Sequence, residues 1–204
     1  RDKKRVWEIK YYLRFKKYMI KQADKKNINN ISILIYDAIH SVANTLTGEN
    51  EDKKILETLD YYIKMDVCRL SYNNIYTYII DNQNVGILLA YSSNDVEKLD
   101  KPMLEHLKRK NIFLDSFEKE CFEDEFYIDT VSVSPSFQGR GIAKELFSFA
   151  EQKAKELDFK KLSLLVDFEN PKAKALYEKL GFKDNEILKV SGSNFYHMIK
   201  QLDL

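Results

Sequence analysis

Two rhythms of apolar residues run along the chain, one near 3.6 and one near 2, and their order predicts the elements. Residues 1–18 place Val6, Ile9 and Leu13 at helical spacing, with Trp7, Tyr11 and Tyr12 adding bulk. A fresh start follows at Met19: a short strand, a polar turn, then a helix over 30–44. In that helix Ile31, Ile35, Ala38, Ile39 and Val42 share a face, and Asn30 stands where an N-cap belongs. Residues 45–51 read as a polar loop around Gly48, and 52–65 return to helix through Ile55, Leu56, Leu59 and Ile63. Residues 71–80 and 85–91 are strand-like and flank a turn at 81–84, so they predict a hairpin. The charged stretch 92–124 holds one helix near 102–110 and reads as a lid or a solvated insertion.

The second half is more regular. A strand over 125–133 ends at Ser134-Pro135. A helix over 141–157 carries a stripe of Leu146, Phe147, Ala150, Ala154 and Leu157. Residues 161–167 form a strand, and 171–180 a helix with Pro171 in its first turn, Asn170 as N-cap and Gly181 as its stop. Two more strands, 185–190 and 194–201, surround a Ser191-Gly192-Ser193 turn. Strand–helix alternation of this kind predicts an α/β (α+β) sheet with short connections.

Charge changes this picture at one end only. Lys and Arg number 33 and Asp and Glu 32, a balance that argues against a protein dedicated to coating nucleic acid. Residues 1–18 hold eight of the basic and two of the acidic residues, a local +6 that leaves the rest at −5. We therefore read 1–18 as a basic N-terminal extension and 19–204 as the main domain. The extension is either a docking helix or a contact for an acidic partner, nucleic acid or membrane surface. Cys68 and Cys121 lie far apart with no CxxC, which suggests reduced thiols in a cytoplasmic protein. No apolar run approaches the ~18 residues of a membrane span.

The densest chemical signal lies between the 125–133 strand and the helix that follows. There Gly139 and Gly141 frame Arg140 just as the helix begins. The first amides of a helix lack intrahelical acceptors and carry the positive end of its dipole. Glycines let a phosphate come close to those amides, and Arg140 can add charge, so the turn is a candidate pyrophosphate cradle. It is neither a Walker loop nor a dinucleotide fingerprint, since G-x-G-x-x-G fails at Lys144.

Gln138, Gly141 and Ala143 form Q-x-x-G-x-A. About thirty residues on, Asn170, Pro171, Ala173, Leu176, Tyr177, Gly181 and Phe182 form N-P-x-A-x-x-L-Y-x-x-x-G-F. Together these closely resemble the GNAT superfamily of N-acetyltransferases over residues 126–183. The layout from Met19 through the hairpin is similar but less specific.

The resemblance implies an acyl-CoA N-acyltransferase fold: a mixed central sheet, helices on both faces, and a parallel strand pair that splays apart at a bulge. Acetyl-CoA, as co-substrate, would insert between the 126–133 and 161–167 strands. Backbone of Val131, Ser132 and Val133 would meet its pantetheine, and the amides of Gln138, Gly139, Arg140, Gly141, Ile142 and Ala143 its pyrophosphate. Asn170 and Ala173 would line the pantetheine arm. Tyr177 holds the general-acid position, and no metal is needed.

The base is less defined. By strand alternation Asp129 shares a face with Tyr127 and Val131 and is the first candidate, with Glu125 second. His40 and His197 are further candidates. The acceptor pocket would involve Tyr36, His40, the 45–51 loop, the 92–124 stretch and the 191–194 turn.

The resemblance thus predicts direct acetyl transfer to a primary amine of a small molecule or peptide, by a monomer or homodimer. Polyamines, antibiotics, amino acids, protein N-termini and lysines all stay open, and the acidic body mildly favours a cation. Two rivals remain. One is a non-catalytic acyl-CoA-binding regulatory module on the same fold. The other is a nucleic-acid-associated regulator that works through residues 1–18.

Overall fold

The computed structural model describes residues 19–203, so the helix expected over 1–18 lies outside the described residues. Seven strands form one sheet: β1 (Met19–Gln22), β2 (Ile75–Ile80), β3 (Gln83–Ser92), β4 (Phe126–Val133), β5 (Lys161–Asp167), β6 (Lys183–Val190) and β7 (Ser193–Gln201). Their order is β1-β2-β3-β4-β5-β7-β6, and every neighbouring pair is antiparallel except β4 and β5. The expected mixed sheet with one parallel pair is the one observed.

Helices cover both faces. One face packs α1 (Ile31–Ile39), α3 (Asp52–Ile63) and α4 (Val96–Arg109). Their Ile31, Ile35, Ile55, Leu59 and Met103 bury against Ile75, Ile87, Leu89 and Tyr127 of the sheet. The other face packs α5 (Ile142–Glu156), whose Ile142, Leu146, Phe147 and Ala150 meet Leu88, Phe126, Ile128 and Leu164. Each such isoleucine, leucine, phenylalanine or methionine side chain contributes roughly 1.5–3 kcal/mol on full burial. The N-terminal end of α5 sits hard on the sheet because residue 86 is glycine. A Cβ there would stand 3.2 Å from Ile142 Cγ2 and 3.3 Å from the Ser132 carbonyl oxygen.

Three elements differ from expectation for local reasons. The single helix over 30–44 is two: α1 ends at Ile39, His40 takes φ 44°, and α2 (Val42–Thr47) starts afresh. Asn30 does not cap α1 with its side chain, since it adopts φ 69° and its Nδ2 donates to the Asn84 carbonyl at 3.3 Å. The start of the first hairpin strand is a 3-10 turn, Tyr72–Asn74, in which Ser71 Oγ accepts from the Asn73 amide. The 92–124 stretch is not a solvated insertion. α4 buries Leu99, Met103 and Leu107 despite Pro102 inside it, and Phe117 and Cys121 beyond it pack on the same core.

Candidate active site

The centre of the sheet opens along one seam. β4 and β5 pair only at Phe126–Leu162, Tyr127–Ser163 and Ile128–Leu164. From Asp129 onward the strands part, although both continue. On its other side β4 stays paired with β3, and the register slips between Leu89 and Ala90 so that Asp129 is the extra residue of a β-bulge.

The bulge decides which groups face the gap. The Ser134 amide donates to the Val85 carbonyl at 2.9 Å, so strand alternation turns the Ser132 backbone toward β3 as well. The backbone groups of Val131 and Val133 then point into the gap. Of the three strand residues expected at a pantetheine, Ser132 is thus turned away. Gln138 also departs from expectation: its amide, expected at the pyrophosphate, donates to the Pro135 carbonyl at 3.3 Å, and its Nε2 donates to the Val133 carbonyl at 3.0 Å, closing one of the gap's acceptors.

The turn after β4 fits a phosphate group. Gly139 and Gly141 have φ of 73° and 85°, and a Cβ at either would meet nothing within 4 Å. Gly141 caps α5, and its carbonyl accepts the Glu145 amide at 3.2 Å. Among the described residues no backbone acceptor meets the amides of Gly141, Ile142, Ala143 and Lys144. These are the four donors a helix leaves over, set at the positive end of its dipole. Arg140 is engaged elsewhere. Its Nη2 donates to the Ser136 carbonyl at 2.8 Å, and the guanidinium lies 4.8 Å from the Phe137 ring centre.

Beyond the gap, α6 (Pro171–Lys179) begins where β5 ends. Asn170 Oδ1 accepts from the Ala173 amide at 3.1 Å, so both residues have a complete structural role as cap and capped amide. Tyr177 is half-buried, with its ring edge-on to Phe147 at 5.3 Å. Burial raises its phenol above 10, which keeps it protonated and a proton donor at neutral pH.

Asp129 lies on the opposite face of the sheet. It shares that face with Tyr127, as expected, but not with Val131, which packs beside Ile128 and Leu146. The extra residue of the bulge shifts every later side chain to the other side. Tyr91 donates to Asp129 Oδ2 at 2.6 Å and Thr130 to Oδ1 at 2.9 Å. Burial, and then the nearby charge of Glu120, push the Asp129 carboxyl up to about 6. The candidate acid and base therefore belong to opposite faces, on either side of a seam that is open between them.

The other base candidates have different employment. Glu125 is buried, and its Oε2 lies 3.1 Å from His197 Nε2 and accepts the Phe122 amide at 3.0 Å. Burial alone would raise its carboxyl, but His197 and that amide outweigh it and hold the carboxyl below the usual range. His197 is fully buried, with Nδ1 3.2 Å from Asn185 Nδ2, so both ring nitrogens are satisfied. Glu125 and His197 thus tie β7 to the start of β4. His40 is exposed at the end of α1, and Tyr36 donates to Asp52 Oδ1 at 2.7 Å.

Three expected acceptor walls converge. The Ser191 amide donates to the Glu118 carboxylate, and the Ser191 and Thr45 hydroxyls lie 3.4 Å apart. Lys110 Nζ donates to the carbonyls of Thr47 and Gly48 at 3.0 Å and pairs with Glu49. Beneath the segment after α4 lies a cavity of about 530 Å³ whose lining includes Glu97, Asp100, Glu118, Glu120 and Glu123 beside Arg69 and Lys119.

Sequence reasoning missed Arg69, Tyr91 and Glu120, which surround Asp129 from behind. Arg69 is 3% exposed, pairs with Asp100 at 2.7 and 2.8 Å, and reaches Glu120 at 2.6 Å. A charged residue between the buried Cys68 and Leu70 was the one local sign of it.

The sequence model of the acetyltransferase (GNAT) family matches residues 40–182, more than half of the chain. A Bacillus subtilis (strain 168) protein described as a putative ribosomal protein bS18-alanine N-acetyltransferase is 33% identical over 73 residues, 36% of this chain and 46% of that protein. The chain thus spans about half the length of the curated relatives it matches. A crystal structure of an acetyltransferase superposes with TM-score 0.75 at 30% identity, covering 91% of this chain and 100% of the other. An N-acetyltransferase from Staphylococcus aureus Mu50 superposes with TM-score 0.74 at 26% identity, covering 89% of this chain and 99% of the other. Among the described residues no helix is long and apolar enough to cross a membrane.

Proposed function

The chain belongs to the acetyltransferase (GNAT) family, and on that premise we propose that it transfers an acetyl group from acetyl-CoA directly to a primary amine. The observation that carries this reading is the coincidence of an open β4–β5 seam with unspent helix amides at its end. Val131 and Val133 offer backbone groups to pantetheine, and Gly139 through Ala143 offer amides and room to a pyrophosphate. Binding displaces the Gln138 side chain from the Val133 carbonyl. Arg140 contributes once it releases Ser136. Asn170 and Ala173 shape the arm of the site from the end of β5.

Acetyl-CoA supplies the acetyl thioester and leaves as the thiol. The protein's work is proton traffic and charge. An acceptor amine must be neutral to attack; at pH 7 that costs roughly 4–5 kcal/mol for a lysine-like amine and about 1 kcal/mol for an α-amine. Asp129, with its carboxyl near 6, is mostly ionised at pH 7 and takes the amine proton on a carboxylate oxygen. An amide of the Val131–Val133 stretch donates to the oxyanion that develops on the acetyl carbonyl. Tyr177 gives its hydroxyl proton to the departing sulfur.

The acidic lining of the cavity behind the acceptor walls supports a cationic acceptor, either a small amine or a peptide amine. The free, buried thiols of Cys68 and Cys121 support work in a reducing compartment such as the cytoplasm. Thiol release from acetyl-CoA across a panel of small amines and free-N-terminus peptides tests the proposal. Amine-dependent release is the expected result. Tight CoA binding with no release on any amine would favour a non-catalytic acyl-CoA-binding module instead.

A further inference from the structure

Behind Asp129 lies a polar cluster that the transfer reaction does not itself require. Its groups come from four parts of the chain: Arg69 before β2, Tyr91 at the end of β3, Asp100 on α4 and Glu120 on the segment after it. Arg69 Nε and Nη2 donate to both oxygens of Asp100, and Nη1 donates to Glu120 Oε1. Tyr127 donates to Glu120 Oε2 at 2.8 Å, and its ring stands edge-on to Tyr91 at 5.7 Å. Tyr91 in turn donates to Asp129. Cys121 and Thr130 complete the groups around Asp129.

The charges in this cluster do not balance. Three carboxyl groups, Asp100, Glu120 and Asp129, share one guanidinium. Arg69 is within ion-pair distance of the first two; it makes no close pair with Asp129, and its charge favours the Asp129 carboxylate from farther off, against the larger effects of burial and Glu120. Two arrangements of such a site are possible in water-poor surroundings: the third carboxyl holds a proton, or it ionises at a cost. A group poised between those states is what a general base needs.

We propose that Tyr91 and Glu120 are positioning residues for Asp129: Tyr91 fixes the carboxyl on the bulge, and Glu120, held by Arg69 and Tyr127, keeps beside it a cluster with one more carboxylate than guanidinium. This deepens the reading of Asp129 as the base and rests on it. The two residues act in opposite senses. The Tyr91 hydroxyl, which burial keeps protonated, donates to the ionised carboxylate and favours it. The Glu120 charge favours the protonated carboxyl. Because Glu120 sits on the segment whose Glu118 holds the β6–β7 turn, the acceptor wall and the proton affinity of the base are built from one piece of chain.

The test uses the full chain as wild type, Tyr91→Phe and Glu120→Gln. The pH profile of kcat/KM should shift on its acidic limb by about one pH unit, upward for Tyr91→Phe and downward for Glu120→Gln. The same opposite shifts should appear in the Asp129 carboxyl resonance, followed by 13C NMR in aspartate-labelled protein and assigned with Asp129→Asn. A packing role would lower rate or stability and leave both midpoints where they were. Coincident carboxyl midpoints in wild type and Tyr91→Phe overturn the proposal, and this variant loses only a hydroxyl, so it decides even if Glu120→Gln fails to fold. Full turnover by Asp129→Asn would instead remove Asp129 as base, a separate failure that the carboxyl titration does not depend on.

Discussion

Replacing Asp129 with asparagine should disable the enzyme and stabilise it, by an amount that depends on pH. Burial and the charge of Glu120 raise this carboxyl from 3.8 to about 6 in the folded protein. A group raised on folding contributes its full stability below its unfolded pKa and loses it as pH rises through the folded one. For Asp129 that window runs from about pH 4 to about pH 6. Two units at about 1.4 kcal/mol each make the ionised carboxylate cost the folded state about 3 kcal/mol at pH 8. Asparagine is neutral throughout. It keeps an acceptor oxygen for Tyr91 and offers an amide where the Thr130 hydroxyl can accept. Urea melts followed by circular dichroism should therefore find Asp129→Asn level with wild type near pH 4 and up to about 3 kcal/mol more stable at pH 8. The lowered carboxyl of Glu125 makes the fold weaker in acid, but it does so in both proteins and cancels in the difference. A variant less stable than wild type at pH 8, by a margin that does not change with pH, would refute the reasoning and make Asp129 a structural residue.

Other substitutions separate the parts of the site. Tyr177→Phe should lower kcat by tenfold or more, on the order of general-acid effects, with acetyl-CoA affinity unchanged by calorimetry; unaltered turnover would remove Tyr177 from the mechanism. Gly141→Glu should weaken CoA binding at least about tenfold, because it sets a carboxylate among the helix amides and strains a residue at φ 85°; wild-type affinity would argue against the cradle. Arg69→Leu should cost roughly 3–5 kcal/mol in a urea melt, since the buried Asp100 and the half-buried Glu120 lose their cation; a loss under about 1 kcal/mol would mean that neither carboxylate relies on it.

What could be read in the sequence follows the range of the interactions involved. The strand over 161–167 and the helix that starts at Pro171 have the expected starts because alternation, an N-cap and a first-turn proline act within a few residues. The glycine turn at the start of the 142–156 helix was legible for the same reason, since glycines beside a helix start are local. The β4 bulge was not legible. One extra residue at Asp129 changes no composition and only mildly disturbs the alternation, yet it sends Val131 and Asp129 to different faces. The break at His40 was hidden because the apolar stripe runs on past it. The Arg69–Asp100–Glu120 cluster joins residues up to 51 positions apart, with no spacing to betray it. Its polar partners made 92–124 look solvated, although Leu99, Met103, Phe117 and Cys121 of that stretch pack on the core.

Titration of acetyl-CoA into 15N-labelled protein, followed amide by amide, puts the seam and the helix end to the most direct test. The amides of Val131, Val133 and Gly139 through Lys144 should shift together and saturate at one equivalent, ahead of those in β1 and β6. Saturable binding that leaves these amides unmoved, with shifts confined to another part of the sheet, would contradict the site and the transfer chemistry built on it.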